Sequence, residues 1–297
     1  MDLTNLQEQL ASTPNNRADK GGNKNTQASF ADWQLISNSL APMIVEKRLS
    51  VVGICGSQGS GKSTLAEYLV SAISDLGVSA AAVSLDDFYL TRAQRRLLAE
   101  AVHPLLQTRG VPGTHDISLL QQALEKISNE NASQANSEPR QPVRMSLPSF
   151  NKGIDDREGF VQVQASVLVL EGWCLGVQSQ PNKRLDKPVN ALEQAEDKGG
   201  IWRHWVNQQI QNTYSKLWKH VGYWVQLRPP SFDQVHQWRG EQEAHLPQGQ
   251  RMSQEQLRRF IEHYERLTRW QWQSPNLQPG LNVALAQDRT VESVSLS

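Results

Sequence analysis

Two rhythms of apolar residues alternate along this chain of 297 residues. Short apolar runs stand at residues 49–55, 81–85 and 166–170, and Val221, Tyr223, Val225 and Leu227 alternate with polar neighbours. Runs of this length, rich in β-branched residues, predict strands, and the continuous ones predict strands buried on both faces. Between them apolar residues recur at helical spacing: Leu65, Leu69, Ala72, Ile73 and Leu76 before Gly77; Leu119, Leu120, Ala123, Leu124 and Ile127 behind Asp116; Trp202, Trp205, Val206 and Leu217; and Leu257, Phe260, Ile261, Tyr264 and Leu267. Asp116 reads as an N-cap, and Ser253 with Gln256 as a capping box. Residues 29–47, 91–102 and a stretch through Trp238 and Arg239 predict further helices, and Val283 with Leu285 predicts a closing strand. Strands alternating with helices predict an α/β fold with a doubly wound, mainly parallel sheet. The polar segments complete the division: a flexible tail over 1–27, a folded domain over 28–297, a polar loop over 129–142 and an exposed, charge-rich insertion over about 180–200.

Charge narrows the function. Thirty basic and thirty acidic residues cancel, so no global field draws the chain to nucleic acid or to an anionic membrane. No apolar run approaches the roughly 20 residues of a membrane span, and the polar N-terminus lacks the core of a secretory signal. Cys55 and Cys174, the two cysteines, each lie in an apolar run, which suits a reducing, cytoplasmic setting. Eight of nine tryptophans follow position 170. With a neutral charge balance they read as packing of a second helical layer rather than as base-stacking platforms. The seven histidines show no zinc-ligand spacing.

The chemistry sits where the first strand meets the first βαβ helix. Gly56, Ser57, Gln58, Gly59, Ser60, Gly61, Lys62, Ser63 and Thr64 fit G-x-x-x-x-G-K-[ST], a loop whose backbone N–H groups wrap phosphates. Strand, glycine loop and helix N-terminus together favour an anion. Lys62 is expected to reach the β- and γ-phosphates of ATP, and the Ser63 hydroxyl to hold Mg²⁺. Two strand ends add acids. Ser84-Leu85-Asp86-Asp87-Phe88-Tyr89 follows the second strand, and the carboxyl ends of parallel strands line the ligand crevice. Asp86 is expected to accept the proton of an attacking hydroxyl, and one of the two aspartates to cap the helix near Thr91. Glu171, after four apolar residues, suits Mg²⁺ opposite Ser63. Arg109, Lys152 and Arg157 are candidate cations for an anionic acceptor, the alternative for each being a solvated surface charge.

The order of Gly56 to Thr64, Ser84 to Tyr89, Arg109-Gly110-Val111-Pro112-Gly113-Thr114-His115-Asp116, Pro148-Ser149-Phe150-Asn151-Lys152-Gly153 with Asp155-Asp156-Arg157, and Glu171-Gly172-Trp173 resembles the P-loop D-glycerate 3-kinases of plants and microbes. These are related to uridine kinase, phosphoribulokinase and bacterial pantothenate kinase. The resemblance covers most of residues 30–297. It implies a P-loop kinase fold with a helical lid over about 231–255, and ATP and Mg²⁺ as cofactors. Asp86 matches the catalytic base, Glu171 the Mg²⁺-associated acid, and Arg239 a cation that the lid carries over the phosphates. Asp87, Tyr89, Arg109, His115, Lys152 and Arg157 fall around the acceptor. Where the glycerate kinases commonly show Tyr-Asp-Lys-Ser, this chain has Phe150-Asn151-Lys152-Gly153. The same transfer to pantothenate, a nucleoside or a sugar phosphate remains an alternative, as does an ATP-binding protein without kinase activity. A GTPase-like role is disfavoured because the guanine-reading Asn-Lys-x-Asp is missing: Asn151-Lys152-Gly153-Ile154 and Asn182-Lys183-Arg184-Leu185 both lack the acid.

Overall fold

The computed structural model describes residues 3–12, 25–137, 140–245 and 248–297. The chain enters through α1 (Leu3–Ser12) and α2 (Asn25–Glu46), then β1 (Val51–Gly56), α3 (Lys62–Asp75) and β2 (Ala80–Ser84). A single 3-10 turn, Leu85–Phe88, leads to α4 (Arg92–Ala101) and α5 (Ile117–Ser133). Next come a hairpin of β3 (Val143–Asn151) and β4 (Asp156–Ala165), β5 (Val167–Gly172), and the short α6 (Asn182–Leu185) and α7 (Ala191–Glu196). The second half runs through α8 (Ile201–Gln209), a π turn (Ile210–Tyr214), α9 (Ser215–Leu217), β6 (Tyr223–Arg228), α10 (Phe232–Ala244), α11 (Gln254–Gln273), β7 (Gly280–Leu285) and β8 (Val291–Leu296).

The expected α/β architecture is present. Six strands lie in the order β2-β5-β1-β6-β7-β8, parallel except for β8. Both β1 and β5 are buried along their whole length, as continuous apolar strands covered on both faces must be. Successive side chains of β1 alternate between the two layers. Val52 and Ile54 pack with Leu40 and Ile44 of α2 and Leu65 and Leu69 of α3. Val51 and Cys55 face Leu120 and Leu124 of α5 and Val206 of α8. β1 has β5 on one side and β6 on the other. The chain therefore turns in opposite directions from it, and a crevice opens at the carboxyl ends of β1, β5 and β2.

Three expectations change. The tail over 1–27 is not wholly loose: α1 packs on α2 and β8, Leu6 is 1% exposed, and Gln7 Nε2 donates to Val294 O at 2.8 Å. Residues 13–24 lie outside the described residues. The loop over 129–142 is shorter than expected, because α5 runs to Ser133 and the β3–β4 hairpin begins at Val143. Val143, Met145 and Leu147 are buried and alternate with exposed Arg144 and Ser146. The segment 180–200 is exposed over much of its length, but it is anchored by buried residues. Leu185 and Leu192 are buried, and two of its acids turn inward: Glu193 accepts from Arg266 Nε at 2.7 Å, and Asp197 from Arg203 Nη1 at 2.9 Å. These two pair with α11 and α8 while Asp186 and Glu196 stay exposed.

Candidate active site

The phosphate loop has the shape its glycines require. Gly61 takes φ 88° at the N-cap of α3, and Gly59 takes φ 77°. A Cβ on Gly59 would stand 2.6 Å from the Cβ of Trp238 in α10, so only glycine lets that helix close on the loop. Arg289, in the turn between β7 and β8, joins them further: its Nε donates to Gly59 O at 2.8 Å and its guanidinium pairs with Glu241 of α10 at 2.6 Å. Lys62 Nζ folds back to Ser57 O at 2.9 Å. Burial pulls the Lys62 ammonium below its ordinary pKa, against the opposing pull of Glu171 and Asp86. Ser63 Oγ donates to Glu171 Oε1 at 3.2 Å, which puts a hydroxyl and a carboxylate side by side where α3 starts and β5 ends.

Asp86 lies one turn past β2, where Ser84 caps the 3-10 turn by accepting from the Asp86 N–H. Both of its carboxylate oxygens are engaged: Oδ1 accepts from the Tyr89 hydroxyl at 2.8 Å and Oδ2 from Lys152 Nζ at 2.6 Å. Burial works to raise this carboxyl, but Lys152 and Tyr89 hold it below the usual carboxylate range. Asp87 points elsewhere. Its Oδ1 accepts from Phe150 N at 3.3 Å, and burial raises its pKa. Neither aspartate caps α4; Thr91 does so in a capping box with Gln94.

A cleft of about 1130 Å³ is lined by Gln58, Gly59, Lys62, Ser63, Asp86, Tyr89, Arg109, Lys152, Glu171 and Arg239, among others. Asp87, His115 and Arg157 are not among its walls. Arg157 pairs with Asp116 at 3.1 Å and donates to Tyr89 O, so it fastens the loop rather than offering a free cation. His115 is buried; its Nδ1 and the Tyr214 hydroxyl share a hydrogen bond at 2.7 Å, and that hydroxyl accepts from Gly113 N. Burial pushes His115 down to about 4, which keeps the ring neutral, and the ring stacks on Tyr89 at 4.6 Å. Its place is behind Tyr89, supporting the residue that touches Asp86.

Arg109 does line the cleft, paired with Asp155 and lying over the Phe150 ring at 5.7 Å. Arg239 pairs with Glu243 at 2.9 Å and lies over Phe260 at 5.5 Å. Sequence reasoning missed Arg95, which is 1% exposed. Its guanidinium donates to Leu90 O, Gln107 O and Asp155 O and pairs with the Asp155 carboxylate. One buried cation thus ties together the segments that carry Tyr89, Arg109 and Lys152. Within Arg-Ala-Gln-Arg-Arg it has no local mark that separates it from solvated Arg96.

No group of three or more His, Cys, Asp or Glu that could hold a metal occurs among the described residues. None of the described helices is long and apolar enough to cross a membrane. No family model matches the chain. The chain is 31% identical over 235 residues to an uncharacterised kinase of Schizosaccharomyces pombe, which covers 74% of this chain and 79% of that one. It is 29% identical over 227 residues to the chloroplastic D-glycerate 3-kinase of Arabidopsis thaliana, covering 72% of this chain and 46% of that enzyme. The solved D-glycerate 3-kinase of Cryptococcus neoformans superposes with a TM-score of 0.71 at 27% identity, over 93% of this chain and 100% of that one.

Proposed function

We propose, for a chain that belongs to the family of P-loop kinases that includes the D-glycerate 3-kinases, that the acceptor is D-glycerate and that ATP phosphorylates its 3-hydroxyl. The protein is an ATP-dependent phosphotransferase with an alcohol acceptor. The observation that carries the acceptor reading is the pairing, in one cleft, of Asp86 opposite the phosphate loop with the cations Arg109 and Lys152 beside it. A small acid with a hydroxyl fits such a wall, since guanidinium and ammonium groups receive a carboxylate while an aspartate receives a hydroxyl proton. Of the two departures, Gly153 lines the cleft without a side chain, while Asn151 lies outside it. Asn151 Oδ1 accepts from Gly153 N at 2.9 Å, so the residue shapes its own turn and is not part of the cleft lining.

In this reading the acceptor oxygen forms a bond to the γ-phosphorus, its proton passes to Asp86, and the bond to the β–γ bridging oxygen breaks to leave ADP. Asp86, held below the usual carboxylate range, is ionised at neutral pH and orients the hydroxyl. A loose transition state asks more for position than for an early proton. Lys62 leaves Ser57 O for the phosphates, where the loop amides share the charge. Oxygen donors at Ser63 and Glu171 suit Mg²⁺, a hard cation that keeps most of its waters. They would hold it, and when bound it neutralises the β- and γ-phosphates. Arg239 sits on the segment expected to close as a lid, and from there it would add charge and exclude water. Both cysteines are free and buried, which supports a reducing compartment such as the cytoplasm.

The test is ADP release with D-glycerate, pantothenate, uridine and ribulose 5-phosphate, each at matched concentration. D-glycerate should give the largest kcat/KM. A larger value with any of the others moves the acceptor to that class, and no stimulation by any of the four overturns the acceptor reading.

A further inference from the structure

We propose that Lys152 gates the base: it occupies Asp86 until an acceptor draws it away, and so restrains Asp86 from activating water against bound ATP. This rests on the reading of Asp86 as the base. Three observations lead to it. First, both Asp86 oxygens are engaged, by Tyr89 at 2.8 Å and by Lys152 at 2.6 Å. Each oxygen keeps a second lone pair, but a proton delivered to Oδ2 would arrive against the ammonium 2.6 Å away.

Second, the two partners differ in freedom. Tyr89 is buried and wedged between His115 and Phe150, at ring distances of 4.6 and 5.2 Å. Lys152 is 60% exposed at the tip of the β3–β4 hairpin. The displaceable partner is therefore the lysine. Third, the tip that carries Lys152 is held at both ends. Asn151 Oδ1 accepts from Gly153 N and Ile154 N, and Asp155, at φ 56°, is gripped by Arg95 and Arg109. Exchange of Lys152 from Asp86 to a ligand is thus a change in the conformation of its flexible stem, with no opening of the loop.

The consequence concerns the reaction without acceptor. For hydrolysis, a water oxygen forms a bond to the γ-phosphorus, its proton passes to Asp86 Oδ2, and the bond to the β–γ bridging oxygen breaks, leaving ADP with the electron pair. Lys152 holds its ammonium 2.6 Å from Oδ2 and opposes the arrival of this proton there. An acceptor with an anionic group supplies a new partner for the ammonium and frees the base only when the correct hydroxyl has arrived.

The experiment is ADP release from ATP and Mg²⁺ with no acceptor, which keeps it independent of the acceptor's identity. Lys152→Met should raise this basal rate on the order of tenfold, a part of the ~10²–10⁴-fold that a positioned base contributes. Lys152→Gln should raise it as well, and Lys152→Arg, which keeps a cation, should raise it less. Adding Asp86→Asn to Lys152→Met should remove the gain. A Lys152→Met rate at or below that of the parent overturns the gate, as does a gain that survives Asp86→Asn. A purely structural or acceptor-binding lysine predicts no increase at all.

Discussion

Asp86 and Asp87 are adjacent in sequence and opposite in surroundings. One faces the cleft between Lys152 and Tyr89; the other turns back to hold the Phe150 N–H of the hairpin. Asp86→Asn should therefore lower kcat by about 10²–10⁴-fold, the worth of a positioned base, while Asp87→Asn should lower it less than about tenfold. Steady-state ADP release with saturating acceptor separates the two, and equal losses would remove the distinction. The position of Asp86 was legible because an acid at a parallel strand end lies in the crevice by topology alone. The roles of His115 and Arg157 were not legible. A polar residue in a loop looks the same whether its partner is a ligand or the chain, and the hydroxyl that engages His115 belongs to Tyr214, 99 residues away.

Local signals located most of the elements. Asp116, and Ser253 with Gln256, cap their helices as expected, the latter as a full capping box, because a cap is decided within four residues; Thr91 with Gln94 forms the box where an aspartate was expected. The buried acids within 180–200 escaped for the opposite reason. Glu193 and Asp197 look like their solvated neighbours until Arg266 of α11 and Arg203 of α8 are placed beside them, and those partners come from the fold. Glu193 is fully buried, and both of its carboxylate oxygens meet Arg266. Glu193→Ala leaves a buried guanidinium without its counter-charge, which typically costs about 3–5 kcal/mol. Urea denaturation should show the midpoint falling accordingly; a shift equivalent to less than about 1 kcal/mol would mean that the pair is effectively solvated after all.

At the scale of the molecule, two buried rings tie stability to acidity. Burial pushes His115 and His263 from 6.5 down to about 4. Below pH 6.5 the unfolded chain binds protons at these sites and the folded chain does not, so stability falls as pH drops from 6.5 towards about 4. The loss is on the order of a few kcal/mol, readable in urea midpoints across that window. His115→Gln together with His263→Gln should make the slope shallower, and an unchanged slope would assign it to other groups. A last consequence comes from α1, seated against α2 and the final strand β8. Residues 291–296 are made after α1 and α2, so α1 can dock fully only once they have followed. Until residues 291–296 leave the ribosome, the apolar side of α1 lacks half of its seat, while the phosphate loop already has its strand and its helix. α1 thus acts as a clasp that joins α2 to the strand β8.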